Sequence, residues 1–241
     1  MDEWNKKLQE KWREIPGACY TGRMFSSDLL KKTDTELVKI YDNTVINDKP
    51  VRIGYETPLY KFYKNKKVLD IGSGFGISSI QFALKGADIT FLDLVQDNLN
   101  VLKRICEYKN IKANYFCMTD LSDLNKLKDD EYDYFFAQGS LMNAPYDFMK
   151  KEMALLVSKL KKHGILHTLS YPKERWVADK SPPFEKWGKM TDGERTPYCE
   201  WYDGNKFIEL LKPAKFEIIK EYNFGSSKRP QPFNWIELQK L

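Results

Sequence analysis

From Lys67 onward the chain alternates between two patterns of apolar and polar residues. Short apolar runs near 67–71, 88–93, 113–118, 132–137 and 164–170 read as strands. Between them, segments near 75–86, 97–109 and 146–161 repeat apolar residues every three or four positions and read as helices. In the last of these, Met149, Met153, Leu156 and Leu160 fall on one stripe. A helix near 204–212, stopped at Pro213, leads to strands near 215–223 and 233–240, which "GSSKRPQP" joins as a hairpin loop. The pattern predicts an α/β, Rossmann-like fold. It has a seven-stranded, mostly parallel sheet with an antiparallel last strand and helices on both faces.

Ahead of that alternation, Trp4, Leu8, Trp12 and Ile15 recur at helical spacing, up to a stop near Pro16–Gly17. "TDTELVKIYDN" opens with a good cap at Thr33 and carries Leu37, Ile40 and Tyr41 on one face, and Thr57–Pro58 opens another short helix. Residues 1–63 therefore read as an N-terminal helical extension and 64–241 as the α/β domain. Within the latter, 172–203 is too long for a plain connector and is expected to be a functional insertion.

Composition narrows the class. The chain has 241 residues, 42% of them hydrophobic and 30% charged, as in a soluble globular protein. No apolar run has the length of a membrane span, and "MDEWNKKLQEKWRE" lacks the apolar core of a signal peptide, so a cytoplasmic location is expected. Cys19, Cys106, Cys117 and Cys199 lie far apart with no C-x-x-C pair, which argues against a zinc knuckle or a disulfide framework. The net charge of +5 is spread over lysines along the whole chain, so nucleic acid is not an expected partner.

The chemistry concentrates in "VLDIGSGFGISSIQFALKGADITFLDL", Val68 to Leu94. Gly72, Gly74 and Gly76 make G-x-G-x-G, whereas a dinucleotide fingerprint needs its third glycine at position 77, which is Ile. A phosphate-cradling P-loop needs a Lys–Ser/Thr pair, and Ile77–Ser78 follows instead. Asp70 stands two residues before the first glycine, where a carboxylate repels a pyrophosphate and attracts an ammonium group. Asp93 ends the second strand, suited to a ribose diol, and Asp120 follows the third, suited to an adenine amino group. All three acids fall at carboxyl ends of consecutive strands, where open α/β sheets bind ligands.

Through "VLDIGSGFG", "ITFLDL", "CMTDL" and "YDYFFAQGSLMNAP" the sequence resembles the class I S-adenosylmethionine-dependent methyltransferases over roughly Lys67 to Tyr171. The resemblance implies a cofactor site of Asp70, Gly72, Ser73, Gly74 and Gly76 on the methionine side. It adds Asp93 and Leu94 at the ribose, Asp120 and Leu121 at the adenine, and Gln138 and Gly139 at the sulfonium. It also implies exclusions: no Asn/Asp-Pro-Pro-Tyr/Phe of amino-methylating enzymes, no cysteine nucleophile, no glutamate pair and no Mg²⁺ cage after the fourth and fifth strands. A metal-independent enzyme is expected. A looser resemblance, through "QGSLMNAP", "TPYCEWYD" and "FNWIEL", is to bacterial surface-polysaccharide O-methyltransferases. It implies a sugar or nucleotide-activated sugar as acceptor, with a phosphoryl-containing metabolite as the alternative.

An alcohol acceptor must lose a proton, and the base is sought in the insertion. Glu200 is the first choice, with Tyr171 lining the pocket. His167 suits the role by type but lies inside the fifth strand, which favours a core position. Tyr20, Arg23 and Tyr55 are expected lid contacts. A dinucleotide oxidoreductase, a non-catalytic cofactor-binding protein and an RNA methyltransferase are the competing readings.

Overall fold

The structure, a computed structural model, describes residues 3–16, 23–52, 56–226 and 229–241. Its helices are α1 (Glu3–Trp12), α2 (Ser26–Leu30), α3 (Asp34–Arg52), α4 (Glu56–Tyr63), α5 (Ile77–Leu84), α6 (Gln96–Tyr108), α7 (Tyr146–Leu156), α8 (Lys173–Ala178), α9 (Phe184–Asp192) and α10 (Gly204–Leu211). Its strands are β1 (Glu14–Pro16), β2 (Arg23–Phe25), β3 (Lys67–Ile71), β4 (Asp88–Asp93), β5 (Asn114–Cys117), β6 (Tyr132–Gln138), β7 (Leu160–Ser170), β8 (Phe216–Ser226) and β9 (Arg229–Lys240). The seven from β3 to β9 form one sheet in the order β5-β4-β3-β6-β7-β9-β8. The chain divides into two compact units, Trp12–Thr119 and Met1–Lys11 with Asp120–Leu241.

In the first unit β3 pairs parallel with β4, and β4 with β5. Val68, Leu69, Ile89 and Phe91 are fully buried, so these strands are near-continuous apolar runs, as a parallel strand covered on both faces requires. Leu99, Val101, Leu102 and Ile105 give α6 its buried face. α3 packs on α5, where Tyr41 donates to the Ile77 carbonyl at 3.3 Å. Thr33 caps α3 as its sequence predicts: the Glu36 amide donates to the Thr33 hydroxyl and the Glu36 carboxylate accepts from the Thr33 amide.

The all-helical reading of 1–63 needs one correction. After α1 the chain goes extended, and Glu14–Pro16 pairs antiparallel with Arg23–Phe25. Proline cannot supply an amide to a continuing helix, and Ile15, fully buried, packs from the strand instead.

In the second unit β6 and β7 are parallel, while β9 runs antiparallel to both β7 and β8. That is the expected antiparallel last strand. The helix expected over 146–161 ends at Leu156, passes through a 3₁₀ turn and enters β7 at Leu160. The ladder then jumps from Tyr132↔Leu160 to Tyr134↔Ile165, across an irregularity in which His163 takes φ 62°. The regular apolar stripe hid that change of period.

The insertion is ordered around aromatic residues rather than looped out. Trp187, fully buried on α9, meets the Tyr171 ring edge-on and donates from Nε1 to Asp179 at 2.8 Å. Beside it a Cβ on Gly188 would lie 2.7 Å from the Tyr198 carbonyl carbon, so α9 rests directly on backbone. Trp187→Ala is expected to lower stability by about 3–5 kcal/mol and Gly188→Ala by about 1–3 kcal/mol, read from urea denaturation midpoints at unchanged m-value.

Candidate functional site

The glycine loop of the first unit, between β3 and α5, is a set of backbone positions that only glycine fills well. Gly72, Gly74 and Gly76 take φ of 72°, 52° and 61°. At Gly76 a Cβ would also fall 2.5 Å from Leu102 Cδ2, so the loop lies tight against α6. The Gly72 and Ser73 amides both donate to the Leu92 carbonyl, at 2.9 and 3.1 Å, and the Ser73 hydroxyl donates to the carbonyls of Asp70 and Leu92.

Asp93 fixes the far side of this loop. Its Oδ2 accepts from the Gly74 amide at 2.9 Å, and its Oδ1 accepts from the Val95 amide at 2.9 Å and Asn98 Nδ2 at 3.1 Å. Asn98 also donates to the Trp12 carbonyl. Asn98 is a member of this cluster that the sequence reading missed; an asparagine in the first turn of a helix is too common to signal it.

Asp70 and Asp93 are 3% and 4% exposed. Burial pushes the Asp70 carboxyl up to about 7, partly offset by the Ser79 and Ser73 hydroxyls and reinforced by the negative Asp93. Burial likewise raises Asp93 to about 6, against the opposing bonds from Val95, Gly74 and Asn98. Two desolvated carboxylates beside a glycine loop are groups that a cation could compensate.

In the second unit Asp120 caps the 3₁₀ turn Leu121–Lys126. Its Oδ1 accepts from the Ser122 amide and hydroxyl, and these bonds hold the carboxyl below its usual range. Gln138 closes β6, and Gly139 follows at φ 71° with its carbonyl accepting from Asn143 Nδ2 at 2.8 Å.

The two candidates for proton transfer, Glu200 and His167, and the expected pocket residue Tyr171 also lie in this unit, in different surroundings. His167 is mid-strand, paired with Phe136 and Glu237, stacked on Tyr134 and packed against Trp235. Burial, with the positive Lys220, lowers it to about 3, so it is a neutral core imidazole. Tyr171, 7% exposed, donates to Asp192 Oδ1 at 3.1 Å under the Arg175 guanidinium, and burial drives its phenol well up. Glu200, 6% exposed, accepts from Tyr198 on one oxygen at 2.9 Å and from the Lys206 ammonium on the other at 2.6 Å. Its amide is held by the Met142 carbonyl. Tyr198 and Lys206 are partners that only the folded chain reveals. Arg23 lies 5.6 Å from the Trp12 ring and 3.7 Å from Glu14; Tyr20 and Tyr55 lie outside the described residues. Among the described residues, no three His, Cys, Asp or Glu side chains converge as a metal cage.

Known proteins give this geometry a setting. Residues 68–164 match the family described as methyltransferase domain. The ubiquinone biosynthesis O-methyltransferase of Rickettsia bellii (strain OSU 85-389) is 24% identical over 135 residues, covering 53% of this chain and 54% of that one. The chain thus spans about half the length of the curated relative it matches. The PH0226 protein from Pyrococcus horikoshii OT3 superposes at TM-score 0.63 with 16% identity, covering 80% of this chain and 92% of that one. Magnesium protoporphyrin IX methyltransferase from Synechocystis PCC 6803, solved with bound S-adenosylhomocysteine, gives TM-score 0.56 at 18% identity over 85% and 83%. The fold is the Rossmann-like methyltransferase fold.

The raised Asp70 carboxyl has a consequence for stability. Between its unfolded value near 3.8 and its folded value near 7, the folded chain keeps a proton that the unfolded chain releases. Its contribution to stability therefore falls as pH rises across that window, by roughly 4 kcal/mol in all. Asp70→Asn is expected to raise the melting temperature at pH 8, with the gain shrinking toward pH 4.5, followed by circular dichroism.

Proposed function

With residues 68–164 a methyltransferase domain in the fold of class I methyltransferases, we propose that this chain is an S-adenosylmethionine-dependent enzyme that methylates a hydroxyl of a small molecule. The observation that carries the reading is the pair of buried acids, Asp70 and Asp93, around a glycine loop that holds no lysine. Such a site favours an ammonium-bearing ligand and disfavours a diphosphate, which separates this cofactor from a nicotinamide dinucleotide. S-adenosylmethionine would supply the electrophilic methyl group.

In the proposed site the chain's own residues bind and orient. Asp70 meets the ammonium group, and Ser73, Gly72, Gly74 and Gly76 let backbone approach the methionine part. Asp93 and Leu94 take the ribose. The roles given to Asp120 and Leu121 at the adenine, and to Gln138 and Gly139 at the sulfonium, rest on the motif resemblance alone. Glu200 is the proposed proton acceptor, with Lys206 and Tyr198 fixing its orientation, and Tyr171 is a pocket wall. Methyl transfer is a direct displacement, so alignment and exclusion of water supply much of the acceleration.

The Rickettsia bellii relative acts, by its name, in ubiquinone biosynthesis, which supports O-methylation as the chemistry. The finer proposal, a sugar or nucleotide-activated sugar of bacterial surface polysaccharide, rests on the looser motif resemblance alone.

S-adenosylhomocysteine is expected to raise the melting temperature where NAD and NADP do not, and Asp70→Asn to abolish that rise; stabilisation by the dinucleotides alone would overturn the reading. Glu200→Gln is expected to keep S-adenosylhomocysteine affinity and lower kcat by about 10²–10⁴, the range of a lost general base. Near-normal turnover would remove Glu200 from the mechanism.

A further inference from the structure

Asn98 joins two parts of the first unit that lie far apart in the chain. It stands in the first turn of α6, 1% exposed, and its Nδ2 carries two hydrogens. One is donated to Asp93 Oδ1 at 3.1 Å and the other to the Trp12 carbonyl at 2.9 Å. A carboxylate and a carbonyl only accept, so one orientation of the amide serves both, and the reverse would set its oxygen against two acceptors. The bond to Asp93 is charge-assisted and is the stronger kind.

Trp12 leads into β1. The next carbonyl, that of Arg13, accepts from the Ser26 amide at 2.9 Å and the Ser26 hydroxyl at 3.2 Å. Glu14–Pro16 then pairs with Arg23–Phe25, residue against residue. A two-stranded ladder this short has little stability of its own. It is held by the burial of Ile15 and by the bonds that the Trp12 and Arg13 carbonyls accept. Of those bonds, the one from Asn98 comes from a side chain that also holds Asp93, the acid proposed for the ribose. One side chain thus serves both the docking of residues 12–16 and the placement of that carboxylate.

We propose that Asn98 is a positioning residue that makes ligand binding at Asp93 and the docking of residues 12–16 depend on each other. A ligand on Asp93 tightens the β1–β2 pair, and the docked pair holds Asp93 in its binding orientation. The identity of the ligand rests on the S-adenosylmethionine reading; the coupling rests on the two bonds from Nδ2. Such coupling is reciprocal, so it can be read from either end.

S-adenosylhomocysteine would be titrated calorimetrically into the full chain and into Asn98→Leu and Asn98→Ser. Hydrogen exchange would be followed by mass spectrometry with and without saturating S-adenosylhomocysteine. Asn98→Leu, close in volume and without donors, is expected to bind about tenfold more weakly, a difference of 1.4 kcal/mol. Asn98→Ser, which keeps one donor, is expected to bind about threefold more weakly. In the wild type the ligand is expected to slow exchange both in the glycine loop and at Glu14 and Ile15, at least about fivefold. In Asn98→Leu at equal occupancy the loop is still slowed and the strand is not. A residue that only packs would leave the ligand's effect on the strand intact, and that result overturns the proposal. Wild-type affinity in Asn98→Leu overturns it as well. If Asn98→Leu fails to fold, Asn98→Ser decides by the same comparison, with the strand slowed less than in the wild type. Failure of the wild type to bind S-adenosylhomocysteine sinks the methyltransferase reading. The tie through Asn98 is then judged on the ligand-free chain, where strand exchange as slow in Asn98→Leu as in the wild type overturns it.

Discussion

One carboxylate organises the first unit. Asp93 ends β4, and its two oxygens take the Gly74 amide on one side and the Val95 amide with Asn98 on the other. The glycine loop, with three residues at positive φ, has little intrinsic preference for its path. Hydrogen bonds to a fixed anion supply that preference. The same bonds offset part of the cost of burying the anion, which is why Asp93 rises less than Asp70, whose compensation comes from hydroxyl groups.

That arrangement works against stability. Asp93 sits close enough to raise the proton affinity of Asp70, and both are almost wholly removed from water. A core built for folding alone would place apolar or amide side chains at two such strand ends. Acids kept there fit the proposed cofactor site, in which a cationic group would compensate them. His167 shows the opposite case: its burial removes charge altogether, and aromatic neighbours take up the ring.

The sequence carried some of this openly and some of it not at all. β3, β4 and the loop between them are local: apolar runs bounded by glycines and acids, with every partner within about one βαβ unit. Their residues and chemistry could be read in order along the chain. The β1–β2 ladder, by contrast, depends on a pairing across residues with weak propensity, and α7 loses its last turn to a strand partner that periodicity does not register. Glu200 was legible as an acid in an insertion, yet its environment was not. Lys206 reaches it from the next helix and Tyr198 from two residues back, and neither spacing is a motif.

Part of the second unit's packing is hidden for a related reason. Glu221, Asn234 and Gly204 come from a strand, its antiparallel neighbour and a helix start, and each looks ordinary in its own segment. What joins them is convergence: a carboxylate that accepts from both the Gly204 amide and the Asn234 side chain through one oxygen, and a glycine that leaves no room for a side chain. A cofactor shared by many enzymes is bound by a compact motif that stays together in the chain. A particular acceptor is bound by whatever side chains the fold gathers from distant segments, so its identity is written in contacts rather than in order.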